Sequence, residues 1–167
     1  MHPSLQTNSG VNRLKGLRLF ARCSTKQLRR IEVLMTEIRV SAGHVLTTYA
    51  EHTAEFFVVI EGTATVWREG VRLEAVGPGG FFGEQSLLVR GVRTDTVLAE
   101  TDMGLFVLSQ QEFRSPHFLI PPVMERMLEE LSERLRRADE RWSDAQDSLR
   151  PSSEALLRSW APVSSRP

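Results

Sequence analysis

The chain has a single cysteine in 167 residues, no excess of charge of either sign, and no apolar run near membrane-spanning length. Each scarcity closes off a class of function. Cys23 alone cannot form an internal disulfide, and a lone cysteine serves first as a small buried hydrophobe. Lys plus Arg and Asp plus Glu both number 21, which leaves no global field to draw the chain to nucleic acid or to an anionic bilayer. A spanning helix needs about 20 apolar residues in succession; neither such a run nor the shape of a signal peptide occurs. The expectation is a cytoplasmic protein that does not itself bind DNA or membrane. His2, His44, His52 and His117 contain no H-x-H pair of the kind a small metal-binding barrel would need. With no nucleophile elbow, Walker A loop or paired catalytic carboxylates in a defined context, the expectation is a non-enzymatic chain with no metal and no cofactor.

What is present is enough for one domain with tails, at an ordinary 41% hydrophobic content. Residues 1 to 10 are polar, with Pro3, Asn8, Ser9 and Gly10, and read as a disordered N-terminus. Leu14, Leu17 and Phe20 stand at helical spacing. Ser24 with Gln27 forms a capping box for a second helix carrying Leu28, Ile31, Leu34, Met35 and Ile38. From about residue 37 to 108, short β-branched and aromatic runs alternate with turns at Gly43, Gly62, Gly70 and Gly77 to Gly80, the pattern of an antiparallel barrel or jelly roll. Ser109 with Glu112 makes another capping box, and Pro121-Pro122 sits where a long helix can begin.

Along that helix Met124, Leu128, Leu131, Leu135, Ala138, Trp142, Ala145 and Leu149 recur at intervals of 4, 3, 4, 3, 4, 3 and 4. Such a narrow a/d seam favours a coiled-coil contact, so a homodimer through about residues 124 to 149 is expected. The alternative is that Met124 to Leu135 pack on the chain's own β region and the rest is a solvated extension. Beyond Leu149, Leu156, Leu157 and Trp160 lie in a Pro/Ser-rich tail that is either mobile or docks as a lid or on a partner. The expected division is a disordered 1–10, a binding domain over 11–142 that includes the start of the long helix, and a helix extension and flexible tail over 143–167.

The chemistry is concentrated in Phe82-Gly83-Glu84-Gln85-Ser86-Leu87-Leu88 and Arg93-Thr94-Asp95-Thr96-Val97. Gly83 lets backbone approach a ligand without a Cβ in the way, and the unpaired amides that open the following turn suit an anion. Arg93, nine residues after Glu84, can offer a fork of charged donors to phosphate oxygens. Glu84 would repel a phosphate, so its partner there is a hydroxyl pair or a cation. Carboxylate for sugar and arginine for phosphate describe a nucleotide with one accessible phosphate.

At these residues the chain resembles the cyclic nucleotide-binding domain family, whose phosphate-binding cassette reads roughly F-G-E-x-[AS]-L-L, a short loop, then R-[TSA]-A-x-V. The resemblance extends through Phe57-Val58-Val59-Ile60-Glu61-Gly62 and Leu73-Glu74-Ala75-Val76-Gly77-Pro78-Gly79-Gly80, and about residues 12 to 142 can be laid along the family pattern. It implies an α+β fold, an antiparallel β-roll (jelly-roll-like barrel) flanked by N-terminal helices and a long C-terminal helix. It also implies cAMP as ligand, in preference to cGMP, with Glu84 on the ribose, Arg93 on the cyclic phosphate, and Gly83 with the amides of Gln85 and Ser86 completing the site. Thr94 can offer its hydroxyl to the phosphate or to a guanine amino group, while Leu73 and either Asp139 or Trp142 are the candidates for contact with the base. The chain is read as a free-standing sensor of this type, without a DNA-binding domain, acting on a regulated partner. A member whose site has drifted, with Glu84 and Arg93 merely paired to each other, is the competing reading. Two positions depart from the family pattern: Gly80 stands where aspartate is common, and Asp95 where alanine is usual. Asp95 either shares the face of Arg93 and pairs with it, or turns to solvent.

Overall fold

The computed structural model describes residues 10–89 and 91–149. Two short helices come first, α1 (Gly10–Lys15) and α2 (Thr25–Glu32), with a 3-10 turn at Arg18–Phe20 between them. The apolar spacing of Leu14, Leu17 and Phe20 is thus carried by two pieces rather than one helix, interrupted at Gly16. The Ser24 capping box forms as expected: Gln27 N–H donates to Ser24 Oγ at 3.3 Å and Ser24 N–H donates to Gln27 Oε1 at 2.8 Å. The helix it opens is shorter than the sequence reading. It ends at Glu32, and Ile38 belongs instead to a strand, where it faces Leu105.

Eight strands follow among the described residues: β1 (Thr36–Val40), β2 (Val45–Thr47), β3 (Glu55–Glu61), β4 (Ala64–Arg68), β5 (Val71–Val76), β6 (Phe81–Phe82), β7 (Thr96–Ala99) and β8 (Met103–Ser109). They form two antiparallel four-stranded sheets, in the orders β1-β8-β3-β6 and β2-β7-β4-β5. Phe57, Val59, Phe82, Met103 and Leu105 of the first sheet pack against Ala64, Val66, Val97 and Ala99 of the second in one buried cluster. That is the β-roll. Helix α3 (Glu84–Leu88) is inserted between β6 and β7, α4 (Gln110–Phe113) follows β8, and α5 runs over Pro121–Leu149.

Strand β3 explains why Phe56-Phe57-Val58-Val59 is continuously apolar. Successive side chains point to opposite faces. Phe57 and Val59 enter the roll, while Phe56 turns to a second aromatic cluster, with ring centroids 5.0 Å from Phe113, 5.5 Å from Phe118 and 5.5 Å from Phe81. Phe20 joins that cluster through Phe118 at 6.3 Å. The two-residue strand β6 is what holds α3 in place: Phe82 pairs with Phe57, its ring stacked 4.8 Å away, and Phe81 pairs with Val58.

The compact units of the chain divide between Met127 and Leu128, inside α5. In the first, Val123 and Met127 are buried, one turn apart. The seam read from sequence lies on other positions. Met124, Leu128, Leu135 and Trp142 are exposed, Trp142 to 69%. Of the stretch 1–10 expected to be disordered, Gly10 opens α1, while residues 1–9 and the tail residues Leu156, Leu157 and Trp160 lie outside the described residues.

Candidate functional site

Gly83 is the pivot of the site. It sits at φ 89°, in the left-handed region that side-chain-bearing residues rarely adopt. A Cβ at this position would stand 2.5 Å from the carbonyl oxygen of Glu55 and 2.7 Å from Nη1 of Arg93. Both the turn and the close approach therefore require glycine. The chain then enters α3 at Glu84, whose carboxylate at the first helical position is favourably placed against the helix dipole. Glu84, Ser86 and Arg93 are all buried.

Arg93 is 2% exposed, and each of its five N–H bonds has an acceptor in the chain. Nη1 donates to the carbonyl of Gly83 at 3.2 Å and to Ser86 Oγ at 3.3 Å. Nη2 donates to the Glu55 carbonyl at 2.9 Å and to its carboxylate at 3.3 Å, and Nε donates to Thr53 Oγ1 at 2.9 Å. The guanidinium also lies 5.9 Å from the centre of the Phe57 ring. Its own backbone is held by the turn before β3: Arg93 N–H donates to Glu51 O, and Ala50 N–H to Arg93 O, both at 2.9 Å. Burial pulls the pKa of Arg93 below its ordinary value, opposed first by Glu55 and then by Glu84 and Glu51. The arrangement is a desolvated cation gathered from α3, β3 and the loop ahead of β7.

Thr94 and Asp95 form a second group beside the first. Thr94 Oγ1 donates toward Gln85 Oε1 at 3.0 Å and Asp95 Oδ2 at 2.8 Å. Asp95 neither pairs with Arg93 nor turns to solvent. Its carboxylate is forked by Arg68, Nε to Oδ1 at 2.8 Å and Nη2 to Oδ2 at 3.2 Å. The other departure also has a steric reason. A Cβ at Gly80 would meet Val76 Cγ1 at 2.6 Å, so the aspartate common at this place in the family pattern does not fit without movement of Val76.

Of the residues singled out from sequence, Gly83, Glu84, Gln85, Ser86, Arg93 and Thr94 come together around α3. Leu73 lies on β5, half-buried and packed against the core of the roll. Asp139 and Trp142 lie exposed on α5, in the second unit. The sequence reading missed Thr53, Glu55 and Arg68. Glu55 stands at the head of an apolar strand and 38 residues before Arg93, and no local spacing marks it. A cavity of about 670 Å3 opens against Thr53 and Ser86 and is otherwise lined by His52, Gln110, Gln111 and Arg114 among others. Glu84 and Thr94 are not among its walls. Cys23 is buried and its thiol pKa is pushed up by that burial, as a structural cysteine requires. Among the described residues no group of three His, Cys, Asp or Glu side chains could hold a metal, and no helix is long and apolar enough to cross a membrane.

Residues 37–115 match the family model of the cyclic nucleotide-binding domain. The cGMP-dependent protein kinase egl-4 of Caenorhabditis briggsae is 35% identical over 94 residues, which cover 53% of this chain and 13% of the kinase. A cAMP-dependent protein kinase regulatory subunit of Yarrowia lipolytica is 27% identical over 96 residues, covering 58% of this chain and 26% of that protein. The chain thus spans 13% and 26% of the lengths of these two relatives. In three dimensions the catabolite activator protein of Thermus thermophilus shares the fold, with a TM-score of 0.67 at 23% identity over 77% of this chain and 63% of that one.

Proposed function

Residues 37–115 belong to the cyclic nucleotide-binding domain family, and from that premise we propose that this chain is a non-enzymatic cyclic nucleotide sensor whose ligand is cAMP in preference to cGMP. One observation carries the reading. A buried guanidinium, Arg93, is held against a left-handed glycine and the first turn of α3, with the carboxylate of Glu84 buried in the same turn. In this reading Arg93 and the amides of Gln85 and Ser86 take the cyclic phosphate, and Glu84 takes the ribose hydroxyl. Thr94 flanks the phosphate, and Leu73 contacts the base. Capture of the phosphate changes the position of α5 and with it the surface offered to a regulated partner. The ligand shifts that equilibrium only by its differential affinity for the two states. The exposed seam of Met124, Leu128, Leu135 and Trp142 is the proposed homodimer contact.

A second reading is favoured by a specific observation. All five N–H bonds of Arg93 are already satisfied within the chain, so the same fold can serve as a dimeric interaction module whose nucleotide site stays empty. Isothermal titration calorimetry of the chain with cAMP and then cGMP separates the two. Saturable heat that is lost in Arg93→Ala supports the sensor, and absence of heat with both nucleotides supports the interaction module.

A further inference from the structure

Asp95 poses a physical problem for any anion bound beside Arg93. Its side chain is only 15% exposed, it stands two residues from Arg93, and its Oδ2 lies 2.8 Å from the Thr94 hydroxyl, which in turn reaches Gln85 in the first turn of α3. Water has little access to screen such a carboxylate. Left alone it would oppose a phosphate at the neighbouring guanidinium.

The ladder between β4 and β7 supplies a remedy. Val66 stands opposite Val97 and Trp67 opposite Thr96, where the ladder ends, and Arg68 and Asp95 are the next residues beyond that last pair. A cross-strand pair is the closest side-chain neighbour an antiparallel sheet offers. Here it is bidentate, at 2.8 and 3.2 Å, the planar geometry that suits a guanidinium and a carboxylate. The Thr94 hydroxyl has one proton, shared between Asp95 and Gln85, so that group is also committed.

Resting on the sensor reading above, we propose that Arg68 is an affinity-determining residue of the nucleotide site: it neutralises Asp95 through the β4–β7 register and so permits a phosphodiester anion to bind next to an acidic side chain. Arg68 acts through Asp95 and need not touch the ligand, which makes it a positioning residue. The charge at Asp95, once paired, costs the ligand little; unpaired, it acts as a built-in repulsion.

The test is calorimetric titration of the whole chain with cAMP and with cGMP, for wild type, Arg68→Met, Asp95→Asn and the double variant. Arg68→Met keeps most of the apolar stem and removes the charge, and should bind about tenfold more weakly, the scale of losing one charged hydrogen-bonding partner. Asp95→Asn should bind at least as tightly as wild type, and the double variant should recover to within a few-fold of it. Recovery is the readout that a merely structural role for Arg68 would not give. Wild-type affinity in Arg68→Met, or a double variant no better than Arg68→Met, overturns the proposal while leaving the sensor reading intact. Should Arg68→Met fail to fold, Asp95→Asn alone decides, and weaker binding than wild type overturns it. Silence from both wild type and Asp95→Asn overturns the sensor reading and this inference with it.

Discussion

Arg93 shows how a residue proposed for binding can also be a structural one. A guanidinium at 2% exposure must have its donors satisfied, and here carbonyls, hydroxyls and one carboxylate do so. Removing it costs twice. Arg93→Ala should lower the melting temperature, because the Gly83 and Glu55 carbonyls and Ser86 lose a charged donor, and should weaken nucleotide binding by about 2 kcal/mol or more. Unchanged calorimetric affinity in a folded variant would remove Arg93 from the site. In the sensor reading, the Glu55 carboxylate on Arg93 Nη2 competes with the phosphate. Its side chain is 47% exposed, so the pair with Arg93 is worth at most about 1 kcal/mol, and Glu55→Gln should raise affinity by no more than roughly fivefold. A fall in affinity in Glu55→Gln would show that the carboxylate helps to place Arg93 rather than competing for it. For Glu84→Ala, titration with cAMP and its 2′-deoxy analogue should show weaker binding and a smaller preference for the ribose form; an undiminished preference would exclude Glu84 as the ribose ligand.

Among the elements, the five-residue helix α3 depends most on a single position. An alanine at Gly83 must adopt φ near 89° and places its Cβ against the Glu55 carbonyl and Arg93, so Gly83→Ala should cost at least about 1–2 kcal/mol in chemical denaturation and abolish nucleotide binding. The anchor between α1 and β1 is electrostatic. Arg13 and Glu37 meet at 2.6 Å, and the hydrogen bond from Arg13 holds the Glu37 carboxyl below its ordinary value of 4.5. A depressed carboxyl stabilises the fold above the unfolded value, and that contribution disappears as pH falls through the folded value. Both side chains are about a third exposed, so the melting difference between wild type and Glu37→Gln should correspond to less than about 1 kcal/mol at neutral pH and shrink as pH falls below the ordinary carboxyl value. A difference that persisted in acid would assign the effect to packing. Elements with a local signature were legible in the sequence. Both capping boxes, at Ser24 and Ser109, form as read, because such a box involves only three residues on either side of a turn. The helix-to-strand boundary near Glu32 was not legible. Leu34, Met35 and Ile38 continue a helical spacing, and the pairing of β1 with β8, some 70 residues away, overrides it.

For the whole molecule, the seam of α5 makes the most distinct prediction. Leu135 is 64% exposed, so Leu135→Glu should leave the melting temperature of the chain nearly unchanged while converting a dimer to a monomer in sedimentation velocity. Equal sedimentation of the two proteins would sink the dimer. The heptad was readable because its repeat lies within one helix. The motif from Phe82 to Val97 was equally readable, since glycine before a helical turn, a carboxylate at its start and an arginine nine residues on all lie in one stretch of chain. Those local patterns were sufficient for the fold class and for the candidate residues around α3. What surrounds them was not written locally. Glu55 and Thr53 meet Arg93 from strand β3 and the loop before it, and Arg68 meets Asp95 because two strands pair in one register and not another. A single chain segment specifies its own turns and caps. The partner of a buried charge is chosen by sheet register and by packing across the roll, and those are properties of the assembled fold.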